Sequence, residues 1–137
     1  MVKLDFGVIN QKYKKKDITT GEVAIINEYG TEDIPPRPAF KMGLDKSVKD
    51  NKKLIDAALK NISNHLLTGR SASIKRNLQQ VLTQIGRGAK KNTRTLIKTG
   101  AVEPGNAPST IQRKGFDRPL WETGLLYDSV EYKVSDE

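Results

Sequence analysis

The spacing of apolar residues predicts a strand at each end of the chain. Apolar and polar side chains alternate near the start, the period-2 pattern of a half-buried strand, with apolar positions at Val2, Leu4, Phe6 and Val8. The same alternation returns near the other end, at Val130, Tyr132 and Val134. We expect the last strand to pair with the first and residues 135–137 to fray.

The stretch between residues 10 and 38 carries mostly turn and loop signals. Residues 10–21 are basic and rich in turn residues, which predicts a loop or a hairpin end. Residues 23–26 are four consecutive apolar residues, too few to distinguish a strand from a helical turn. Residues 29–38 contain three prolines, which restrict φ and favour extended geometry before each ring. A stiff, non-helical connector is therefore predicted there.

A first long helix is predicted between residues 44 and 66. Apolar residues recur there at spacings of three and four, with one seven-residue step across Asn51. They are Leu44, Val48, Ile55, Ala58, Leu59, Ile62 and Leu66. Gly69 follows at the place where a left-handed C-terminal cap would end the helix.

A second long helix is predicted from Ser73, whose hydroxyl is expected to cap it. Its apolar stripe consists of Ile74, Leu78, Val81, Leu82, Ile85, Ala89, Leu96 and Ile97. Gly86 and Gly88 lie in the middle, where each glycine costs roughly 0.5–1 kcal/mol relative to alanine. Either the helix bends there or another backbone packs closely against it.

These elements predict an α+β fold in one domain, residues 1–137. The two helices are expected to pack as an antiparallel pair against a small, mainly antiparallel β-sheet. Residues 99–109 contain two glycines and two prolines and are expected to form a long loop.

The composition is that of a soluble globular domain, with 36% hydrophobic and 29% charged residues. The chain has no cysteine, which excludes disulfides, thiolate metal sites and a cysteine nucleophile. Residues 1–10 lack the apolar core of a signal peptide, so we expect the protein to act where it is made, without a membrane.

The net charge of +8 is concentrated in the middle of the chain. Residues 57–102 contain nine lysines and arginines and no aspartate or glutamate. Such a stretch attracts nucleic acid or an acidic protein surface, although a solvated helix face has the same composition.

The sequence contains no recognisable catalytic constellation. The single histidine, His65, has no second histidine to work with, and Gly86 and Gly88 lie inside a helical pattern without the ending of a phosphate-binding loop. Glu32 and Asp33 lie in a polar loop, where solvation makes general acid–base catalysis unfavourable. We therefore predict a binding or structural protein that is not an enzyme and has no cofactor or metal.

The basic residues of the second helix suggest phosphate contacts. These residues are Lys75, Arg76, Arg87, Lys90, Lys91, Arg94 and Lys98. A recognition helix of the helix-turn-helix type is short, whereas this helix is long and its bases are expected to lie on several faces. Nonspecific nucleic-acid binding through this segment is the alternative function that the sequence leaves open.

Two stretches resemble the tail-completion or neck proteins of long-tailed bacteriophages. Residues 23–30 read Val-Ala-Ile-Ile-Asn-Glu-Tyr-Gly and residues 34–40 read Ile-Pro-Pro-Arg-Pro-Ala-Phe, similar to that family's apolar run, Glu-aromatic-Gly and Ile-Pro-x-Arg-Pro-Phe signature. Residues 107–115, Ala-Pro-Ser-Thr-Ile-Gln-Arg-Lys-Gly, and residues 118–130, Arg-Pro-Leu-Trp-Glu-Thr-Gly-Leu-Leu-Tyr-Asp-Ser-Val, are similar to its later motifs in order and spacing.

The resemblance implies a structural virion protein at the head–tail junction, present in the tail or neck and assembled in the host cytoplasm. It further implies a ring of identical subunits, six by analogy, that docks on the tail terminator and bridges to the head connector. Nonspecific contact with DNA is also open. The candidate partner-binding residues are Arg37, Arg87, Lys90, Lys91, Arg94, Arg113 and Lys114.

Several of these residues also have a purely structural interpretation. Arg37 follows two prolines and either pairs with a carboxylate of a neighbouring subunit or belongs to a turn that starts a helix. We favour core closure for residues 119–130, with Thr123 capping a short helix and Trp121 in the core. Charge reversal at Lys90, Lys91 and Arg94 is expected to leave folding intact and to impair head–tail joining.

Overall fold

The computed structural model describes residues 1–13, 17–100 and 124–136 and has an α+β fold, as predicted. Its elements, in chain order, are β1 (Val2–Val8), α1 (Thr20–Tyr29), α2 (Ala39–Asp50), α3 (Lys52–Thr68), α4 (Ser71–Thr99), α5 (Leu125–Ser129) and β2 (Val130–Asp136). The long helix α4 contacts both strands and both helices α2 and α3. It is therefore the element around which the described parts of the chain are arranged.

The two strands form an antiparallel sheet, which confirms the predicted pairing of the chain ends. Val8 lies opposite Val130 and Val2 opposite Asp136. The expectation of a frayed end is wrong for Ser135 and Asp136, which belong to β2. The Asp136 carboxylate binds the N-terminal ammonium group at 3.1 Å and the Lys75 ammonium group at 2.7 Å. These contacts hold the end of β2 against β1 and α4.

Residues 23–26, which the sequence left undecided, belong to helix α1. The signal for a helix lies just before them. The Thr19 hydroxyl accepts a hydrogen bond from the Glu22 backbone N–H at 3.3 Å and donates one to the Glu22 carboxylate at 3.2 Å. This reciprocal arrangement resembles a capping box and satisfies a free donor of the first turn.

The first predicted long helix is two helices, α2 and α3, separated at Asn51, which corrects the prediction of one continuous helix. The Asn51 side chain donates a hydrogen bond to the Ser47 carbonyl oxygen at 2.8 Å. Asparagine side chains compete for backbone groups in this way and disfavour the interior of a helix. The seven-residue gap in the apolar stripe marked this position, and the gap was the signal for a break.

Helix α4 is continuous over 29 residues, as the apolar stripe predicted. It begins at Ser71 after Arg70, with no side-chain cap, so the prediction that Ser73 caps it is wrong. Gly69 does end α3 with the left-handed geometry expected of it, at φ 72°. Helix α4 ends at Thr99 with Gly100 as its C-cap, and the rest of the predicted loop, Trp121 and Thr123 lie outside the described residues.

Helices α2 and α3 pack antiparallel to α4, in agreement with the predicted antiparallel arrangement of the long helices. The Thr93 hydroxyl contacts the Ala39 carbonyl oxygen, whereas Ser47, further along α2, donates to the Ile85 carbonyl oxygen at 2.6 Å. The residue numbers of the contacts in α4 therefore fall as the residue numbers in α2 rise. Ala58 of α3 continues the series in a core cluster with Val81 and Ile85.

The glycines in the middle of α4 allow close packing without interrupting the helix. A Cβ atom at Gly86 would lie 2.6 Å from the Tyr132 ring and 2.8 Å from a Leu4 methyl group, so the sheet packs directly on the helix backbone. Gly88 faces Ser47 of α2 in the same way. The sequence raised a bend or a closely packed backbone as the alternatives; the close neighbours of both glycines are side chains, so the expectation of a neighbouring backbone is wrong.

Candidate functional site

An open groove of about 450 Å³ lies between the middle of α4 and the chain segment formed by α5 and β2. We call it the basic groove. It is lined by Arg87, Lys90, Lys91, Arg94, Thr95, Tyr127 and Tyr132. Four of the seven partner-binding residues chosen from the sequence therefore line one surface.

The spacing along α4 explains why these bases meet. Residues three and four apart are neighbours on a helix surface, and Arg87, Lys91 and Arg94 are separated by four and three. The expectation that the bases of α4 lie on several faces is wrong for this group. It holds for Lys75, which binds Asp136. Arg76 lines a separate, smaller groove nearer the start of α4.

Lys90 is held at the groove wall by an ion pair. Its ammonium group lies 2.8 Å from the Glu131 carboxylate, and the Lys90 side chain is 25% exposed. The hydrogen bond from Lys90 lowers the pKa of Glu131, with further contributions from the Tyr132 backbone N–H and the charge of Arg94. Glu131 is thus kept ionised and offsets part of the positive charge.

Arg94 is held by Tyr127 and the backbone of α5. Its guanidinium carbon lies 5.0 Å from the centre of the Tyr127 ring, a cation–π distance. Its Nε donates to the Tyr127 carbonyl oxygen at 3.1 Å. These contacts fix the guanidinium group and leave its charge at the groove.

Arg87 and Lys91 are exposed, and neither side chain has a hydrogen bond or ion pair to any residue within 1–13, 17–100 and 124–136. Two fixed cations and two unpaired ones therefore line the same groove. Lysine and arginine form charge-assisted hydrogen bonds with carboxylates and phosphates, and arginine does so with two parallel bonds. The arrangement favours a binding partner that carries such anions.

The other candidate residues do not join this groove in the described structure. Arg37 is buried, with 8% of its surface exposed, and its backbone N–H donates to the Asn27 carbonyl oxygen at 2.6 Å. We leave it out of the contact surface for that reason. Arg113 and Lys114 lie outside the described residues.

The two tyrosines of the groove were not chosen as site residues from the sequence. Tyr127 and Tyr132 are 33 and 38 residues from Arg94 in sequence, and only the packing of α5 and β2 on α4 brings them there. The only signal for Tyr132 was its place in the alternating pattern of β2, which predicts burial of one face and says nothing about a groove.

The part of the chain that the structure describes shows neither a metal-binding cluster nor a membrane-spanning helix. No group of three or more histidine, aspartate or glutamate side chains there is arranged to hold a metal ion. None of its helices combines the length and the apolar character needed to cross a membrane.

Comparison of the chain with protein-family models, with curated proteins and with solved structures finds no match in any of the three.

Proposed function

We propose that this chain is a structural virion protein of a long-tailed bacteriophage, a tail-completion or neck subunit that joins the tail to the head. In this proposal identical subunits form a ring, which has six subunits as the family resemblance implies. The ring docks on the tail terminator and contacts the head connector. The protein belongs to the virion tail or neck and assembles in the host cytoplasm. Its work is to form interfaces, without catalysis and without a cofactor.

The observation that carries the proposal is the composition of the basic groove. Two of its cations are fixed by Glu131 and Tyr127, and two are unpaired among the described residues. Fixed side chains lose little conformational entropy when a partner binds, whereas unpaired cations supply the new ion pairs. A carboxylate-bearing surface of a neighbouring virion protein is the partner that this groove suits.

The first family-like stretch supports the proposal through its rigidity. Gly30 adopts φ 74°, and a Cβ atom there would lie 2.7 Å from the Ile34 carbonyl oxygen. The following Pro35 and Pro36 restrict the backbone further. The residues that resemble the family signature thus build a stiff connection between α1 and α2, which suits a subunit of a rigid ring.

The test is charge reversal of the two unpaired cations, Arg87→Glu with Lys91→Glu, in phage assembly. The triple reversal that includes Lys90 and Arg94 is unsuitable, because those side chains bind Glu131 and Tyr127 and their loss would perturb the fold. The matched control is Lys52→Glu with Lys53→Glu, which makes the same change in net charge on exposed residues of α3.

We expect the groove variant to give separate full heads and tails and at least a tenfold loss of infectious particles, with wild-type thermal stability. The control should assemble normally. Normal joining by the groove variant would contradict the role of the basic groove.

A second candidate function, nonspecific nucleic-acid binding, uses the same cations of α4. It predicts DNA binding without any tail protein and a fall in affinity with log salt whose slope is about −0.9 for each phosphate contacted. The head–tail proposal instead predicts weak DNA binding at physiological salt and binding of the purified chain to phage tails. Measuring both with the variant Arg87→Glu/Lys91→Glu separates the two functions.

A further inference from the structure

A leucine-rich surface lies on the hairpin formed by α3 and the start of α4. We call it the hairpin patch, and it consists of Leu59, Leu66, Leu67 and Leu78, which are 56%, 67%, 87% and 36% exposed. Leu59 and Leu66 are seven residues apart and share one face of α3. So many exposed leucines on one hairpin indicate a contact surface.

The hairpin patch lies in a part of the hairpin whose charged residues are all basic, with Asp56 of α3 at its edge as the nearest acidic residue along that helix. It lies within residues 57–102, which contain no acidic residue. Lys60, Arg70 and Arg76 are exposed and have no ion pair to any residue of the described ranges. Two hairpin patches facing each other would bring like charges together, which disfavours a symmetric contact.

A second exposed apolar surface has the opposite charge. We call it the α1 patch, and it consists of Ile25, Tyr29 and Ile34, which are 62%, 78% and 36% exposed. Ile25 and Tyr29 are one helical turn apart on α1. Residues 17–36 contain five acidic residues and no lysine or arginine, and Glu32 and Asp33 are exposed.

The two patches lie at opposite ends of α4. Val23 and Ala24 of α1 pack against the core cluster of Ile97, whereas the hairpin turns just before Ser71. Ser71 and Ile97 are 26 positions apart in α4, which is about 39 Å at 1.5 Å per residue. The patches therefore do not meet within one chain.

We propose that the hairpin patch of one copy docks on the α1 patch of a second copy. The occupant follows from complementarity, because each patch offers the apolar surface and the charge sign that the other needs. Such a contact uses two different surfaces, so it repeats from copy to copy and generates a ring when the rotation closes. The inference names the surfaces used within the ring proposed above and rests on that proposal.

The test measures the mass of the purified chain by sedimentation velocity at concentrations up to about 1 mM, a range that includes weak specific association. We expect the wild-type mass to rise with concentration, and to rise less as salt is added. A chain that stays monomeric over the whole range would overturn the inference.

Two variants remove one patch each: Leu66→Ser/Leu67→Ser and Ile25→Ser/Tyr29→Ser. Each alone should lose at least tenfold in self-affinity. Mixed together they should form a one-to-one dimer and nothing larger, because one intact hairpin patch meets one intact α1 patch. The control Val48→Ser changes a 42% exposed residue of α2 and should assemble as the wild type does. Wild-type association by either double variant, or a mixture that stays monomeric while the wild type assembles, would overturn the inference.

A charge exchange tests the same contact without touching the leucines. Glu32→Lys/Asp33→Lys and Arg70→Glu/Arg76→Glu should each weaken self-association, since like charges then face each other. Their mixture should restore assembly with alternating copies. Failure of the mixture to assemble would count against the docking of these two patches.

The outcomes also separate this inference from the head–tail role. If the patch variants assemble like the wild type while the groove variant fails to join heads to tails, the inference fails and the proposed function stands. If purified chains assemble through the patches but particles lacking the protein join normally, the contact stands and the proposed function fails.

Discussion

The carboxylate of Glu28 accepts a hydrogen bond from the backbone N–H of Phe40 at 3.0 Å, so the end of α1 caps the start of α2. Its second oxygen accepts from the Lys41 backbone N–H at 2.9 Å. These are donors that no carbonyl oxygen of α2 itself can satisfy, and a negative charge is favourable at a helix N-terminus. Phe40 in turn contacts Phe6 of β1, with ring centres 5.6 Å apart.

The variant Glu28→Ala is therefore expected to lower the free energy of unfolding by about 1–2 kcal/mol, the usual cost of losing an N-terminal cap. Chemical denaturation measures this. The matched control, Glu32→Ala, removes an exposed carboxylate that has no hydrogen bond to the described residues, and it should change stability by less than about 0.5 kcal/mol. Equal effects of the two variants would show that Glu28 does not act as a cap.

Gly86→Ala should destabilise the protein although alanine favours a helix. The gain in helix propensity is about 1 kcal/mol, but the new methyl group would lie 2.6 Å from the Tyr132 ring, and overpacking of this kind costs about 1–3 kcal/mol. The control is Gly7→Ala in β1, where a Cβ atom meets nothing within 4 Å. We expect thermal denaturation to show a lower Tm for Gly86→Ala and no loss for Gly7→Ala. A raised Tm for Gly86→Ala would contradict the close packing of the sheet on α4.

Arg94→Lys should destabilise the protein although it keeps the charge. Lysine lacks the planar group that lies over Tyr127 and the Nε donor that binds the Tyr127 carbonyl oxygen. The combined loss is about 1–2 kcal/mol by the usual values for these interactions. Arg87→Lys, at a residue whose side chain has no hydrogen bond in the described ranges, should leave the unfolding free energy unchanged. Wild-type stability of Arg94→Lys would show that the guanidinium contacts contribute nothing.

Glu131 should make stability depend on pH in a defined direction. Its pKa is lowered in the folded chain, chiefly by the hydrogen bond from Lys90, so its contribution is present above its unfolded pKa and is lost as pH falls through the folded value. The Tm difference between wild type and Glu131→Gln should therefore shrink in acid. In an NMR titration, Lys90→Met should raise the pKa of Glu131 towards its ordinary value. An unchanged pKa in that variant would exclude Lys90 as the main cause.

The sequence was sufficient to predict an element of secondary structure where a clear apolar pattern ran through that element. The alternation at Val2–Val8 and at Val130, Tyr132 and Val134 predicted both strands and their pairing, although β2 continues to Asp136. The apolar stripe of α4 predicted a helix that two glycines do not break, since packing against Tyr132 and Ser47 outweighs their low propensity. In these elements the local pattern and the tertiary packing agree.

The sequence was insufficient where a tertiary contact decided the outcome. Nothing local showed that Glu28 would cap a helix starting at Ala39, and so α2 was predicted to begin later than it does. The cations of the basic groove were identified by their charge, but the groove itself depends on Tyr127 and Tyr132, which reach α4 only through the fold. Charge density is visible in a sequence, whereas the wall of a groove is not.

The most direct test of the proposed head–tail role is electron microscopy of particles made by a phage that lacks this protein. We expect DNA-filled heads and completed tails that lie apart, and their joining when the purified chain is added to the lysate. Complete, infectious virions formed without the chain would contradict its role as the joint between head and tail.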